Sequence, residues 1–518
     1  MQKGQGRATP GKRPIAEGAE NLLRCSAMRH YDLVIVGCGP GGEKAAIEAA
    51  AFGHSVAVVE QSPFVGGAMI NTGTLPSKTL RETSVFLDQF RHRNLYGIRL
   101  TMDGDLTAKQ FLHRERQVVR SEIAIVQENL RSERIALIQG RAALRDSRTV
   151  EVLKADGSTE HLEGGAILIA TGSYPSRPPD LPFDDGHFYD SDTILNLDRL
   201  PRSMAIIGAG VIGCEYASVF SILGIEVHLL DRRPRILPFV DWEIGDRLRT
   251  HMEEAGVHFH FGADSISHRK REGSVELELT DGSTVAVEKV LYAGGRLGAS
   301  RGLGLERLGI TVNAKGHIPV DAYYQTAVPG VYAVGDVIGW PALVSTAMEQ
   351  GRIAVGHAFR HTYKKQLASI LPVGIYTVPE ISTVGLTEEQ AKELGIDYAV
   401  GRAPYLQNAR GLILGDTTGM VKLIVSASDQ RLPEGAAVPG VHAEPGEPPM
   451  LMEQQLLGVH IIGELATEII HAGLACLYYH GTIDYFIQSV FNFPTLSDAF
   501  KYAAYDALAR LETKKRSQ

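Results

Sequence analysis

Two glycine-rich turns constrain the fold of this chain more than any other feature. The first is GCGPGG at residues 37–42 and the second is GAGVIG at residues 208–213, each followed by a stretch with helical periodicity. A further apolar run then ends in an acid, Glu60 or Asp231, which lies 23 residues past the first glycine in both copies. One such turn is weak evidence, but two copies with the same spacing predict two dinucleotide-binding units. The apolar runs that precede the turns predict strands at 31–36 and 203–207.

The glycines matter because each removes a side chain where a close approach is needed. The first permits a tight turn, the second lets the backbone approach a pyrophosphate, and the third lets the helix pack on the strand. The helix directs unpaired N–H groups and the positive end of its dipole at the phosphates, and the acid accepts hydrogen bonds from ribose hydroxyls. The candidate cofactor contacts are Gly37, Gly39, Gly42 and Glu60 in the first unit and Gly208, Gly210, Gly213 and Asp231 in the second.

Length and charge limit what can surround these units. At roughly 100–200 residues per domain, 518 residues predict about three domains. The 52 basic and 60 acidic side chains give a net charge of -8, which excludes a general nucleic-acid-binding protein. No run approaches the roughly 18 apolar residues of a membrane span, and the four cysteines have neither metal-binding nor disulfide-framework spacing. We therefore expect no nucleic-acid or membrane partner, no metal site and a cytoplasmic location.

Three further segments resemble the flavoprotein disulfide reductases, the family that includes the dihydrolipoamide dehydrogenases. They are GGAMINTGTLPSK at 66–78, ATGS at 170–173 and VYAVGD at 331–336. In the family these are the redox-active segment, the crossover between the two nucleotide domains and the second flavin motif. The resemblance covers nearly the whole chain. It implies an α/β fold with two Rossmann-like dinucleotide-binding domains, for FAD and for NAD(P), plus a C-terminal α+β dimerisation domain, and hence a homodimer.

The same resemblance suggests how the chain is divided. We expect an N-terminal extension at 1–29, an FAD-binding domain at 30–172 and 299–369, an NAD(P)-binding domain at 173–298 and an interface domain at 370–518. The extension is interpreted as disordered or as a start-site artefact, with an organelle transit peptide as the alternative. Residues 428–452 form a Pro/Gly-rich insertion that is predicted to be exposed and mobile. Apolar runs in the interface domain predict strands at 373–377, 419–425 and 457–462.

The resemblance also implies further cofactor contacts and a catalytic pair. Lys78 and Glu215 are implied to meet near flavin N5, where Lys78 would stabilise an anionic reduced flavin. Glu215 would hold the lysine and contact the nicotinamide amide. A purely structural salt bridge between domains is the alternative. The added contacts are Gly67, Thr171, Gly172, Gly335 and Asp336 for FAD, with Asp336 on a ribityl hydroxyl, and Arg232, Arg233 and Gly295 for NAD(P).

The chain departs from the family pattern at both positions that carry thiol chemistry. Met69 and Thr74 replace the cysteine pair of dithiol members, and neither can form a disulfide. Phe493 replaces the histidine of a His-Pro-Thr segment and cannot act as an acid or base. Cys38 and Cys214 are expected to be packed small residues rather than substitute thiols. Intact nucleotide sites without a dithiol resemble the soluble, si-specific NAD(P)+ transhydrogenase branch, which implies ping-pong hydride transfer from NADPH to NAD+ through the flavin.

Such a reaction requires a site that accepts both dinucleotides. Asp231 suits the free 2′-hydroxyl of NAD(H) and repels the 2′-phosphate of NADP(H). Two unit charges about 4 Å apart interact by about 4 kcal/mol at a surface-like dielectric, which one arginine could offset. Arg232, Arg233 and Arg235 follow the acid directly. We therefore expect dual specificity, with a solvated basic loop as the alternative.

Two other functions remain open on the sequence. An NAD(P)H diaphorase that passes electrons to a quinone, to oxygen or to another protein would use the same sites. A catalytically silent flavin-binding sensor would keep the turns but would have no need of Lys78, Glu215 and Asp336. A flavin that NADPH does not reduce would favour the sensor.

Overall fold

The computed structural model describes residues 28–92, 106–183, 186–263, 265–361, 363–364, 366–433, 438, 441 and 449–517. Most of the predicted N-terminal extension and most of the predicted insertion at 428–452 lie outside these residues. Two helix-flanked α/β units are followed by an antiparallel sheet with its own helices, which confirms the predicted fold class. Within this described part, no helix combines the length and the apolar character of a membrane span.

The first unit is built around the strand that leads into the first glycine turn. Its elements are β1 (Arg29–Val36), α1 (Pro40–Ala51), β2 (Val56–Glu60), α2 (Gly67–Asn71), α3 (Thr74–His92), α4 (Ala108–Phe111), α5 (His113–Ser132), β3 (Ala136–Gln139), β4 (Arg141–Leu144), β5 (Thr149–Leu153) and β6 (Thr159–Ile169). The strands pair in the order β3-β2-β1-β6-β5-β4, and β1 runs parallel to β2 and β6. Val34 and Ile35 of β1 are fully buried, as expected for a central strand with both faces covered.

The second unit repeats this plan after the second glycine turn. Its elements are β7 (Ser173–Pro175), β8 (Phe188–Asp190), β9 (Ser203–Ile207), α6 (Val211–Ile222), β10 (Glu226–Asp231), α7 (Trp242–Glu254), β11 (Val257–Phe261), β12 (Ser265–Arg271), β13 (Ser274–Leu279), β14 (Thr284–Val287), β15 (Lys289–Tyr292) and β16 (Arg296–Gly298). A parallel sheet runs in the order β11-β10-β9-β15-β8. The strands β12, β13 and β14 form an antiparallel sheet, and the apolar side chains of β13 and β14 pack against one face of the parallel sheet.

The chain then returns to the first unit through β17 (Val331–Ala333) and α8 (Val344–Ala358). β17 pairs parallel to β6, so the first sheet is completed by a strand from beyond the second unit. α8 crosses α1 at close range, because a Cβ on Gly351 would lie 2.5 Å from the carbonyl oxygen of Gly41. The return places the VYAVGD segment beside the first glycine turn.

The C-terminal region is an antiparallel sheet covered by helices. Its elements are β18 (Val373–Ile375), β19 (Ile381–Gly385), α9 (Glu388–Glu393), β20 (Tyr398–Pro404), α10 (Ala409–Leu414), β21 (Met420–Ser426), β22 (Gln430–Arg431), β23 (Met450–Leu451), β24 (Leu456–Ile462), α11 (Ala466–Tyr478), α12 (Asp484–Gln488) and α13 (Ala499–Ser517). The main sheet runs β18-β19-β24-β21-β20. The strand predicted at 373–377 ends two residues early, because the N–H groups of Tyr376 and Val378 donate to Glu215 and Ser218 of α6 instead.

A buried ion cluster joins the second unit to the C-terminal sheet. The ammonium of Lys422, whose side chain is 1% exposed, lies 2.9 Å from Asp241, 3.1 Å from Glu243 and 2.7 Å from Glu388. Asp241 also caps α7 by accepting the N–H of Glu243. Burial alone would raise the pKa of Asp241, but the positive charge of Lys422 and the hydrogen bonds to the carboxylate lower it.

We expect Lys422→Met to destabilise the protein by about 3–5 kcal/mol, because it leaves the buried carboxylate of Asp241 without its lysine counter-charge. The midpoint of urea unfolding measures the effect. Arg510→Met is the matched control, since it breaks an exposed pair with Asp506 and should cost at most about 1 kcal/mol. Equal unfolding midpoints for the two variants would contradict the role of Lys422 as the buried counter-charge of Asp241.

Candidate active site

A large cavity of about 1190 Å³ is lined by residues of the first glycine turn and of the second unit. One end is lined by Gly37 and Glu60, and the other by Lys78 and Glu215. Typical small-ligand pockets measure about 300–1,000 Å³. The cavity is therefore large enough for an elongated ligand of dinucleotide size.

The first turn has the geometry that a pyrophosphate site needs. Gly37 has φ +105°, and a Cβ there would lie 2.4 Å from the carbonyl oxygen of Ala170. A Cβ on Gly42 would lie 2.1 Å from the oxygen of Gly37, so α1 packs tightly behind the turn. α1 begins after Gly39 without a side-chain cap, which leaves its first N–H groups available to an anion in the cavity. Gly67 passes the turn closely, since its Cβ would lie 2.9 Å from Cα of Gly39.

Polar groups beyond the turn also suit a flavin dinucleotide. The buried carboxylate of Glu60 accepts the N–H groups of Cys38 and Ser62, each at 2.8 Å, and a carboxylate has further lone pairs for ribose hydroxyls. Thr171 lines the cavity, and its hydroxyl is buried with no hydrogen-bond partner among the residues that the structure describes. Asp336 lines the same wall and accepts the Ser173 hydroxyl at 2.7 Å. A ligand that offers hydroxyl and phosphate oxygens would satisfy these groups, so the residues present fit FAD.

Two predicted FAD-contact glycines have backbone conformations that favour glycine. Gly172 has φ +70° and Gly335 has φ +75°, and both line the cavity. The N–H of Gly335 donates to the side-chain oxygen of Gln350 at 2.7 Å. This bond from α8 fixes the peptide beside Asp336.

The second turn repeats the geometry of the first, and Val211 and Ile212 of this turn line the large cavity. Gly208 has φ +111°, and a Cβ on Gly213 would lie 1.8 Å from the oxygen of Gly208. An added Cβ on Gly210 or Gly295 would meet nothing within 4 Å. Protein packing therefore does not require glycine at Gly210, where φ is an ordinary -80°, and the space in front of this residue is open. α6 begins after Gly210 without a side-chain cap, as α1 does after Gly39.

Asp231 and Arg233 form a two-pronged ion pair at the tip of β10. The Arg233 Nε and Nη2 atoms lie 2.9 Å and 2.6 Å from the two carboxylate oxygens. The N–H groups of Ala209 and Arg233 donate to the same carboxylate. Burial would raise the pKa of Asp231, but these bonds lower it, so the group is ionised. Arg232, the neighbouring predicted contact, is exposed. The acid predicted to select against a 2′-phosphate thus carries its own counter-charge.

Lys78 and Glu215 meet at the far end of the cavity. The lysine ammonium lies 2.9 Å and 2.8 Å from the two carboxylate oxygens, and Glu215 is 5% exposed. The N–H of Tyr376 donates to Glu215 at 2.9 Å, and the ammonium lies 4.9 Å from the centre of the Tyr376 ring. Three distant parts of the chain, α3, α6 and the segment after β18, therefore hold one charged pair.

A series of hydrogen-bonded side chains along the cavity was not predicted from the sequence. Arg296 contacts Asp192 at 3.1 Å and donates to the Ser173 hydroxyl at 2.8 Å, and Ser173 donates to Asp336. Two sequence features could have indicated these residues: Arg296 directly follows the predicted contact Gly295, and Ser173 is the last residue of the ATGS segment. The contact between Tyr376 and Glu215 was not predicted either, because nothing in the sequence around Tyr376 indicates it.

The cavity holds no thiol among the described residues that line it. Cys38 and Cys214 are fully buried, and burial raises the pKa of Cys38 to about 12 and also raises that of Cys214. Both are packed small residues, as expected. Met69 and Thr74 line the cavity in the segment where dithiol members of the resembled family carry cysteines.

Family models match most of the chain. The model described as pyridine nucleotide-disulphide oxidoreductase matches residues 31–351. The model for the dimerisation domain of the same proteins matches residues 371–444 and 451–504. The chain therefore belongs to the pyridine nucleotide-disulphide oxidoreductase family.

Individual proteins and solved structures within this family are similar to the chain over most of its length. Proteins named soluble pyridine nucleotide transhydrogenase are 40% identical over 485 residues in Mycobacterium tuberculosis and 38% identical over 494 residues in Chromohalobacter salexigens. These matches cover 93% and 94% of this chain and 98% and 100% of the relatives. The LpdA structure from Mycobacterium tuberculosis has a TM-score of 0.80 at 26% identity, covering 92% of this chain and 99% of that chain. The HOCl-induced flavoprotein disulfide reductase RclA from Escherichia coli has a TM-score of 0.78 at 27% identity, with the same coverage. The chain is thus similar over nearly its whole length to soluble pyridine nucleotide transhydrogenases.

We expect Arg233→Ala to weaken binding of NADP(H) at least about tenfold while changing that of NAD(H) by less. The variant leaves Asp231 without its counter-charge, and repulsion of a 2′-phosphate by about 4 kcal/mol at close range is then not offset. Equilibrium titrations with NADP+ and NAD+ measure both affinities.

The matched control is Arg271→Ala, which removes the same charge from the second unit at a pair with Glu276 on β13. Equal losses for the two dinucleotides in Arg233→Ala would contradict the role of the arginine.

Proposed function

We propose that this protein is an FAD-dependent oxidoreductase that transfers hydride between NADPH and NAD+, a soluble pyridine nucleotide transhydrogenase. The observation that carries the proposal is the Lys78–Glu215 pair, which lies in a cavity with a dinucleotide cradle and no described thiol. The names of relatives at about 40% identity support the same activity. When bound, FAD supplies a ring system that can accept and release hydride.

The residues of the first unit would hold FAD. Gly37, Gly39 and Gly67 leave room for the pyrophosphate, and the start of α1 supplies N–H donors. Glu60 would accept ribose hydroxyls, and Asp336 would accept a ribityl hydroxyl. Lys78 would place a positive charge beside the ring, fixed in position by the two oxygens of Glu215.

The absence of dithiol residues determines how the two substrates share the site. Met69, Thr74 and Phe493 cannot relay electrons to a disulfide substrate. With the first turn assigned to FAD, the second turn would serve both nicotinamide dinucleotides in succession. The Asp231–Arg233 pair suits this use, since the acid can bind a free 2′-hydroxyl and the arginine can bind a 2′-phosphate.

We also propose that the protein is a cytoplasmic homodimer formed through its C-terminal region. Val490 and Phe493 are 95% and 74% exposed, and Tyr479 is 79% exposed. Several large apolar side chains left exposed within one short stretch of the chain favour an interface there. The division into FAD, NAD(P) and interface domains at the boundaries given above remains part of this proposal.

NADPH should reduce thio-NAD+ with no other acceptor present, and initial rates should give parallel lines in a double-reciprocal plot. Parallel lines are expected because one dinucleotide leaves before the next enters. Intersecting lines would contradict the shared site. Bleaching of the flavin by NADPH without reduction of thio-NAD+ would favour a diaphorase, and a flavin that NADPH does not bleach would favour a sensor.

We expect Lys78→Met to slow the NADPH-dependent loss of flavin absorbance about a hundredfold without loss of bound FAD. The variant removes a preorganised charge, and single groups of this kind contribute about 10²–10³ in rate. Stopped-flow absorbance measures the rate, and the flavin-to-protein absorbance ratio checks occupancy. Lys154→Met, which breaks a pair with Glu160 outside the cavity, is the control. An unchanged rate in Lys78→Met would leave the pair with a structural role only.

A further inference from the structure

The two crossings between the first and second units lie side by side. The chain enters the second unit along β7 and leaves it along β16, and these strands pair antiparallel with Arg296 opposite Pro175. The N–H of Ala299, just after β16, donates to the carbonyl oxygen of Gly172, just before β7, at 2.9 Å. Residues of both strands line the large cavity. The junction that sets how the two units meet is therefore also part of the ligand site.

Arg296 holds this junction together. Its Nε atom donates to the Ser173 hydroxyl at 2.8 Å, and its Nη2 atom donates to the Ser173 carbonyl oxygen at 2.9 Å. Its Nη1 atom lies 3.1 Å from a carboxylate oxygen of Asp192 and 3.2 Å from the Ser191 hydroxyl, both in the segment that follows β8. The guanidinium thus binds both oxygens of Ser173 and is itself held by the second unit.

Ser173 connects the arginine to Asp336 of the first unit. A serine hydroxyl has one hydrogen to donate and two lone pairs to accept with. The hydrogen goes to the Asp336 carboxylate at 2.7 Å, and Nε of Arg296 uses a lone pair. The position of the Ser173 hydroxyl, and with it the orientation of the Asp336 carboxylate, is therefore set from the second unit.

The geometry of these contacts goes beyond that of a charge pair between two units. A charge pair with Asp192 needs only a cation, which a lysine could supply. Binding two oxygens of one residue uses the planar fork of an arginine, whose donors are fixed relative to each other. Two of the contacts of the Arg296 guanidinium are spent on Ser173, which is the residue that carries Asp336.

We propose that Arg296 is a positioning residue for FAD, which acts through Ser173 to orient the Asp336 carboxylate toward a ribityl hydroxyl. Asp336 makes the contact with FAD, and Arg296 fixes the direction of that contact from the second unit. An acceptor that is already oriented lowers the ordering cost of binding and so slows ligand release. The inference rests on the proposed function in taking FAD as the ligand of the first unit.

A double-mutant cycle on the full-length holoenzyme tests the proposal. Arg296→Met and Ser173→Ala should each speed the release of FAD about three- to tenfold, the change expected for the loss of about one hydrogen bond to the ligand. The double variant should release FAD no faster than the faster single variant, because both changes remove the same constraint on Asp336. The rise of flavin fluorescence after dilution of the holoenzyme measures the rate.

Arg402→Met is the matched control. The side chain of Arg402 is 29% exposed, against 21% for Arg296, and its two-pronged pair with Glu243 joins the C-terminal region to the second unit. Neither Arg402 nor Glu243 lines the cavity. This variant should lower the midpoint of urea unfolding and leave the rate of FAD release unchanged. The contrast separates an arginine that only joins two parts of the fold from one that also positions a ligand contact.

Either of two results would overturn the proposal. Unchanged FAD release in Arg296→Met would mean that Asp336 needs no support from the second unit. A rate increase in the double variant that equals the product of the two single increases would mean that Arg296 does not act through Ser173. Both results arise with FAD bound, whereas a purified protein that contains no FAD would contradict the proposed function itself.

Discussion

The ion pair between Lys78 and Glu215 is the interaction on which the active end of the cavity depends. Its partners are 137 residues apart and belong to different units, so the pair forms only when α3 and α6 are correctly positioned against each other. Glu215 is almost fully buried, and removing water from such a carboxylate is costly unless strong donors replace it. Lys78 and the N–H of Tyr376 are those donors. The pair thereby ties the first unit, the second unit and the C-terminal region to one point.

Around that point, the chain combines two nucleotide cradles with side chains that cannot perform thiol chemistry. The turns at Gly37 and Gly208 share a backbone geometry that excludes side chains and leaves helix N–H groups available. Met69 and Thr74 fill the cavity wall without offering an electron relay. The Asp231–Arg233 pair places both charges at the tip of β10, after the second turn. Such a site favours hydride transfer between two dinucleotides through the flavin over reduction of a disulfide.

Much of this arrangement could be predicted because its signals are local in the sequence. The strand predicted at 203–207 is found at those residues, and both glycine turns begin helices as expected. The Arg296–Ser173–Asp336 chain could not be predicted, because its members come from three separate segments that only the folded sheets bring together. The strand predicted at 373–377 ends at Ile375 because a tertiary acceptor, Glu215, takes the next N–H group. Periodicity carries no information about such an acceptor.

In the proposed mechanism, one FAD and one shared nicotinamide site perform the whole reaction. Competitive titration of the holoenzyme tests it most directly: calorimetry with NAD+ is performed on enzyme alone and on enzyme saturated with NADP+. One nucleotide should bind per FAD, and NAD+ should give no binding heat once NADP+ fills the site. Binding of NAD+ at unchanged affinity to the NADP+-saturated enzyme would contradict it, because the two dinucleotides would then occupy separate sites.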